Sequence, residues 1–115
     1  LLYRLVFNLA ENAIRYSRTD SSVTVSICDN DSHVFLRVED QGPGIPKQYR
    51  ESIFQPFFRL DKSRSRAYGG AGLGLALVWE IAALHGGTVE VETSSENGTT
   101  MLVSLPKRSV ALTEQ

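Results

Sequence analysis

The chain has 115 residues, 42% of them hydrophobic, and a formal net charge of −1, which indicate one small soluble domain with a single core. The near-neutral charge argues against a general nucleic-acid binder, which is usually basic. No apolar run approaches the roughly 20 residues of a membrane span, so we expect no direct membrane contact by this chain. The lone cysteine, Cys28, excludes an internal disulfide and fits a reducing compartment.

The first part of the chain predicts a helix followed by a β-hairpin. Apolar residues recur at helical spacing, which predicts an amphipathic helix over residues 1–17. Alternating apolar and polar residues then predict two strands, one around Val25 and one around Leu36, joined by a polar turn at residues 29–32. We expect Cys28 to be a buried residue of the first strand.

The rest of the chain predicts a long loop, a helix and a second hairpin. Residues 41–72 are rich in glycine, proline and arginine, and a segment of this length is typical of a functional lid or of disorder. Helical spacing returns over residues 73–85, with an expected core stripe of Leu77, Val78, Ile81 and Leu84. Two alternating segments, 88–93 and 99–105, flank Asn97-Gly98, which is a strong hairpin signal.

The order helix, hairpin, loop, helix, hairpin predicts an α+β fold with helices on one face of a mostly antiparallel sheet. We expect one domain over residues 1–106 and a loose tail over residues 107–115. The chain begins inside a helical pattern and has no initiator methionine. We therefore interpret it as an N-terminally truncated fragment of a longer protein.

The first predicted helix carries a polar band. Asn8, Asn12, Arg15 and Tyr16 lie near one another, because Arg15 is only about 20° from Asn8 around the helix axis. A carboxamide oxygen suits Mg²⁺, an arginine can neutralise phosphate charge, and a tyrosine can donate a hydrogen bond. The alternative is a solvated polar face, which we would favour for an isolated asparagine pair.

Asp40 continues the face of its strand that carries Val38, because strand side chains alternate. A carboxylate on a core-facing row is costly unless it is paired. Gly42 and Gly44 follow and permit close approach of a ligand to the backbone. A carboxylate there can accept from the exocyclic amino group of adenine, whereas guanine presents a carbonyl. The alternative is a strand-end aspartate that caps the Gly-Pro-Gly turn.

Two further motifs lie in the long loop. A tight aromatic cluster around Pro56, which we interpret mainly as a packing staple, consists of Phe54, Phe57 and Phe58. Spaced glycines precede the second helix, where free amides favour anions, although a flexible turn would explain them as well. These glycines are Gly70, Gly72 and Gly74.

Taken together and in this order, four motifs resemble the N, G1, F and G2 boxes of the ATP-binding catalytic domain of sensor histidine kinases. They are residues 8–13 (NLAENA), 40–45 (DQGPGI), 54–59 (FQPFFR) and 70–75 (GAGLGL). The resemblance covers residues 1–106. It implies a Bergerat-type, two-layer α/β sandwich with a mostly antiparallel, mixed sheet and a mobile ATP lid.

The resemblance implies ATP and Mg²⁺ as ligands and assigns roles to individual residues. Asn8, Asn12 and Arg15 become the catalytic residues, with Asn12 as the Mg²⁺ ligand and the other two facing the phosphates. Asp40 binds adenine. The remaining nucleotide contacts are Tyr16, Gly42, Gly44, Ile45, Arg59, Arg64, Gly70, Gly72, Leu73, Gly74 and Leu75.

The implied reaction transfers the γ-phosphoryl group to a histidine on a separate dimerisation domain, absent here, and then to a response regulator. The parent protein would be a bacterial inner-membrane sensor with this domain in the cytoplasm. One alternative is an ATP-hydrolysing conformational switch, as in gyrase, mismatch-repair and Hsp90 proteins, which carry glutamate where this chain has Asn8. The other is a non-catalytic protein-interaction module, which the retained site residues disfavour.

Overall fold

The computed structural model describes residues 1–58 and 74–107. In chain order these form α1 (Leu2–Tyr16), β1 (Thr24–Asp29), β2 (His33–Asp40), two single-turn 3₁₀ helices (Lys47–Tyr49 and Ser52–Phe54), α2 (Gly74–Leu84), β3 (Thr88–Ser95) and β4 (Gly98–Pro106). The predicted order of elements is confirmed. Residues 59–72, which we predict to form the lid, and all but the first residue of the predicted tail lie outside the described residues.

The four described strands form one sheet in the order β1-β2-β4-β3, and every pair of neighbours is antiparallel. The register places Asp40 opposite Thr99 and Ser95 opposite Gly98. The end of β2 therefore meets the β3–β4 turn at one end of the sheet. That turn consists of residues 96–97, one residue earlier than the Asn-Gly signal indicated.

The core lies between the two helices and one face of the sheet, as the two-layer sandwich requires. The least exposed large side chains come from both layers, and they are Leu5, Leu9, Val38, Val78, Ile81 and Val103. Ile53 and Phe54 extend this core from the second 3₁₀ helix. In the described part of the chain, no helix is long and apolar enough to cross a membrane.

The first strand differs from the prediction. All six residues of β1 are exposed, so the expectation that Cys28 is buried is wrong. β1 is an edge strand, and the described helices pack mainly on β2, β3 and β4. Cys28 also pairs with Phe35, on the face of the sheet opposite to Val38 and the helices. Even Ile27, on the helix side, is 69% exposed.

The expected core stripe of the second helix is partly wrong. Val78 and Ile81 are buried and Leu77 packs against the core, but Leu84 is 71% exposed. The helix buries Ala76 and Ala82 instead. Because α2 is apolar on nearly every side, its periodicity does not reveal which face meets the sheet.

Candidate functional site

The polar band on α1 borders the core as predicted. Asn8, Asn12 and Arg15 share one helix face, and all three are half-buried. The Asn8 Nδ2 atom donates to the carbonyl of Arg4 at 2.7 Å, which leaves its Oδ1 atom turned elsewhere. A Cβ atom added at Gly74 would lie 3.4 Å from that Oδ1 atom. The fold therefore brings the α1 motif against the first described turn of α2.

Asn12 and Arg15, two other polar residues of this band, have few partners within residues 1–58 and 74–107. Among the described residues, the Asn12 side chain has no hydrogen-bond partner. Arg15 lies 3.9 Å from Glu11, a loose and partly exposed ion pair that contributes little. Tyr16, at the end of α1, is 39% exposed. Asn12 and Arg15 are thus open to a ligand.

Asp40 is the last residue of β2 and is half-buried. Its Oδ1 atom accepts from the amide of Gly42 at 2.9 Å and from the amide of Thr99 at 3.2 Å. Burial raises the pKa of the Asp40 carboxyl, and the two amide hydrogen bonds partly oppose that rise. One oxygen thus caps the following turn, as the alternative interpretation expected, and no described residue donates to the second oxygen.

The loop after Asp40 is packed tightly against protein backbone. A Cβ atom on Gly42 would collide with the carbonyl of Tyr16, and one on Gly44 would collide with the carbonyl of Ser95. Gly44 also has a φ of +89°, which favours glycine. The space beside both glycines is therefore filled by the chain's own backbone, and their contact with a ligand stays a prediction.

Several residues that surround Asp40 in the structure were not predicted from the sequence. Ser94 Oγ accepts from the amide of Ile45 and shares a hydrogen bond with Thr99 Oγ1, each at 2.8 Å. Arg18 and Arg50 donate to carbonyls of the same loop. No spacing or motif marks these positions, because strand pairing and loop closure bring them together.

The aromatic motif does not form the single cluster that we predicted. The ring of Phe54 lies 5.5 Å from that of Trp79, and the ring of Phe58 lies 5.7 Å from that of Tyr49. Phe57 is 68% exposed and has a φ of 66°. The turn at Phe57 directs the neighbouring rings to different partners.

Five predicted site residues lie outside the described residues, and their nucleotide contacts stay predictions: Arg59, Arg64, Gly70, Gly72 and Leu73. Leu75 is described, and it lies half-buried against the core. Ile45 packs against the same core and donates its amide to Ser94 Oγ.

A polar cavity of about 280 Å³ opens at the end of the sheet, next to Asp40. Thr24, Glu39 and Thr100 line it and pair with one another across the sheet, on the face opposite to Val38. None of the polar residues of α1 lines it. Asp40 and Thr99 also line it, so the cavity adjoins the Asp40 side of the candidate site but does not include the polar residues of α1.

Comparison with known proteins agrees with this architecture. Residues 1–109 match the family model described as histidine kinase-, DNA gyrase B- and HSP90-like ATPase. Over 106 residues the chain is 47% identical to the sensor protein RstB of Escherichia coli (strain K12), which covers 92% of this chain and 24% of RstB. The chain spans about a quarter of the length of the curated relatives it matches.

Solved structures give the same result. The mycobacterial sensor histidine kinase MprB has a TM-score of 0.77 at 36% identity, covering 93% of this chain and 70% of that one. Full-length ShkA in complex with AMPPNP has a TM-score of 0.80 at 29% identity, covering 96% of this chain and 22% of that one.

These matches cover the helices, the sheet and the motifs that carried the resemblance, and they identify the two-layer sandwich as the Bergerat fold. The chain belongs to the histidine kinase-, DNA gyrase B- and HSP90-like ATPase family, in which its relatives are the ATP-binding catalytic domains of sensor histidine kinases.

Proposed function

We propose that this chain binds Mg·ATP on the helix side of the sheet and donates the γ-phosphoryl group to a histidine on a separate dimerisation domain of a longer sensor kinase. A response regulator then receives the phosphoryl group. The observation that carries the proposal is the half-buried carboxylate of Asp40, whose Oδ1 atom is held by two backbone amides. Its other oxygen has no described donor and is available to accept a hydrogen bond from the adenine of a nucleotide.

Asp40 would select adenine over guanine. An ionised carboxylate accepts a hydrogen bond from the exocyclic amino group of adenine, whereas the carbonyl of guanine would place two acceptors face to face. Because Asp40 is half-buried, water compensates poorly for that mismatch. Sites built around such a hydrogen bond discriminate strongly against analogues that lack the donor.

The polar residues of α1 are suited to hold the phosphates of ATP together with a Mg²⁺ ion. Mg²⁺ keeps several waters and takes few protein oxygens, and the partner-free carboxamide of Asn12 supplies one such oxygen. No group of three or more acidic, histidine or cysteine side chains in the described residues could hold a metal instead. When bound, Mg²⁺ would neutralise phosphate charge, while Asn8 and Arg15 would orient the phosphates.

Transfer to a separate histidine is favoured over hydrolysis and over self-labelling. Asn8 stands where the hydrolases of this family carry glutamate, and a carboxamide is a poor base for water. The Nδ1 atom of His33 contacts Ser32 Oγ at 2.8 Å, and that of His85 contacts the carbonyl of Ile81 at 2.9 Å. Both imidazoles are thus engaged by their own neighbours.

Nucleotide titration by isothermal calorimetry tests the binding step. We expect the 115-residue chain to bind ATP in Mg²⁺ buffer at least about 100-fold more tightly than GTP, because the base contact is lost. Equal affinities for ATP and GTP would contradict the recognition of adenine by Asp40.

A radiolabel assay tests the transfer step. The chain alone, given γ-labelled ATP, should neither label itself nor release phosphate quickly. Adding a separate dimerisation domain from a related kinase should produce acid-labile histidine labelling of that domain, because the reaction needs geometry and not covalent linkage. Labelling of His33 or His85, or fast turnover by the chain alone, would overturn the proposed transfer.

A further inference from the structure

We propose that Arg18 and Arg50 are positioning residues for base recognition. They fasten the G1 loop, defined here as residues 41–45, to the β3–β4 hairpin, and they thereby set the direction of the Asp40 carboxylate. The inference rests on the proposed function, since it concerns the place where the base would bind.

Arg50 joins one end of the G1 loop to β3. Its Nε atom donates to the carbonyl of Ile45 at 3.0 Å, and its Nη2 atom donates to the carbonyl of Ser94 at 3.2 Å. The side chain is half-buried, and no carboxylate in the described part of the chain pairs with it. The rigid fork of a guanidinium lets one side chain hold two carbonyls at once.

Arg18 joins the other end of the same loop to the hairpin turn. Its Nη1 atom donates to the carbonyl of Gln41 at 2.8 Å, and its Nη2 atom donates to the carbonyl of Glu96. Arg18 is exposed, so its hydrogen bonds compete with water more than those of Arg50 do. The two arginines thus make the same kind of bridge from opposite ends of one loop.

Three of the four carbonyls that the arginines contact lie outside the strands and need donors that the sheet does not supply. Gln41 and Ile45 lie beyond the end of β2, and Glu96 lies in the turn between β3 and β4. Backbone carbonyls without strand partners require another donor or water. A charged donor forms a stronger hydrogen bond than a neutral one, so the arginines hold the two segments firmly together.

The bridges reach the Asp40 carboxylate through two amides. The Gly42 amide belongs to the G1 loop and the Thr99 amide belongs to the hairpin, and both donate to Asp40 Oδ1. The carboxylate is therefore held jointly by the two segments that the arginines connect. If the G1 loop moves away, one of these two bonds is lost and the carboxylate can rotate away from the base.

Amide hydrogen exchange on the nucleotide-free chain tests the positioning directly. In Arg50→Gln we expect the amides of Gly42 and Ile45 to exchange about tenfold faster, and in Arg18→Gln about threefold faster. Amides in the middle of the β2–β4 pair should be unchanged. Lys47→Gln is the matched control, since it removes a nearby exposed charge that makes no described contact. Exchange at Gly42 that matches the unmutated chain in both arginine variants would overturn the proposal.

A ligand comparison separates positioning from general stability. Calorimetry should show Mg·ATP binding weakened about tenfold in Arg50→Gln and about threefold in Arg18→Gln, with binding of Mg·tripolyphosphate unchanged. Arg50→Lys should restore only part of the ATP affinity, because lysine keeps the charge but not the fork. Equal losses for ATP and tripolyphosphate would make the arginines merely structural and overturn the proposal.

The two proposals can fail separately. If the unmutated chain does not bind ATP, the proposed function fails, while the exchange experiment still decides whether the arginines hold the loop. If Arg50→Gln does not fold, the exposed position of Arg18 makes Arg18→Gln the deciding variant.

Discussion

The two ends of the candidate site are built differently. At the base end, Asp40 receives hydrogen bonds from two segments of the chain, and the backbone at Gly44 is packed against that of Ser95. At the phosphate end, Asn12 has no described partner and Arg15 has only a loose ion pair. The base end is thus formed by the protein alone, whereas the phosphate end leaves its polar groups for a ligand. Because the base end is already formed, it should lose less conformational entropy than the phosphate end when a nucleotide binds.

The base end depends first on the close packing of the G1 loop. Gly44→Ala should destabilise the domain by about 3 kcal/mol, because the new Cβ would collide with the Ser95 carbonyl and the φ of +89° is strained. Gly86→Ala is the matched control, with a φ of +76° but a nearest neighbour at 3.5 Å. It should lose only about 1–2 kcal/mol. Urea unfolding measures both, and equal losses would mean that the base end is not tightly packed.

The charge of the Asp40 carboxylate should also contribute to nucleotide binding. Asp40→Asn should weaken ATP binding about 10- to 100-fold, because the base contact loses its charged acceptor. The fold should survive, since an amide oxygen can still accept from Gly42 and Thr99. Calorimetry and a thermal melt check the two halves of this prediction. A lower melting temperature with unchanged ATP affinity would make Asp40 a structural residue.

At the phosphate end the expected effect depends on the metal. Asn12→Ala should weaken ATP binding about tenfold in Mg²⁺ buffer and very little in EDTA, because the side chain would act through the ion. The unmutated chain titrated in both buffers provides the reference. An equal loss in both buffers would remove Asn12 as the proposed metal ligand.

The smallest effect contrasts two carboxylates with opposite pKa shifts. Burial raises the pKa of Asp40, so its contribution to stability is full at low pH and is lost as pH rises through that pKa. Hydrogen bonds from Arg37 lower the pKa of the exposed Glu92, so its contribution is present near neutral pH and is lost as pH falls. Urea unfolding of Asp40→Asn and Glu92→Gln between about pH 3 and pH 7 should show opposite slopes relative to the unmutated chain.

Glu92→Gln also serves as a control for the base end. Glu92 lies at an irregularity of β3 and is bonded to Arg37, which pairs with Ser26 and Leu102 on the sheet face away from the helices. ATP affinity should not change in this variant. A change would mean that the face away from the helices contributes to nucleotide binding.

Features that depend on near neighbours in the chain could be read from the residues. Asn8, Asn12 and Arg15 share a helix face because of their spacing, and the structure places them together beside the core. Asp40 follows the core-facing row of β2 because strand side chains alternate. Local geometry alone produces both patterns, so no knowledge of the tertiary fold was needed.

Where the local pattern is uniform, the prediction failed. Leu84 was expected in the core, but α2 is apolar on nearly all sides, and only packing against the sheet selects the face with Ala82. Cys28 was expected to be buried, but the alternating pattern of a strand is the same whether it lies at the edge or in the middle of a sheet.

The sequence motifs also do not predict the contacts that hold the base end together. Thr99 is 59 residues from Asp40, and Arg18 is 78 residues from Glu96, whose carbonyl it bonds. An arginine that donates to backbone carbonyls places no demand on the identity of its partner, so no residue type signals the pair. Such bonds exist only once the strands have paired and the G1 loop has closed on the hairpin, because both partners are then brought within hydrogen-bond distance.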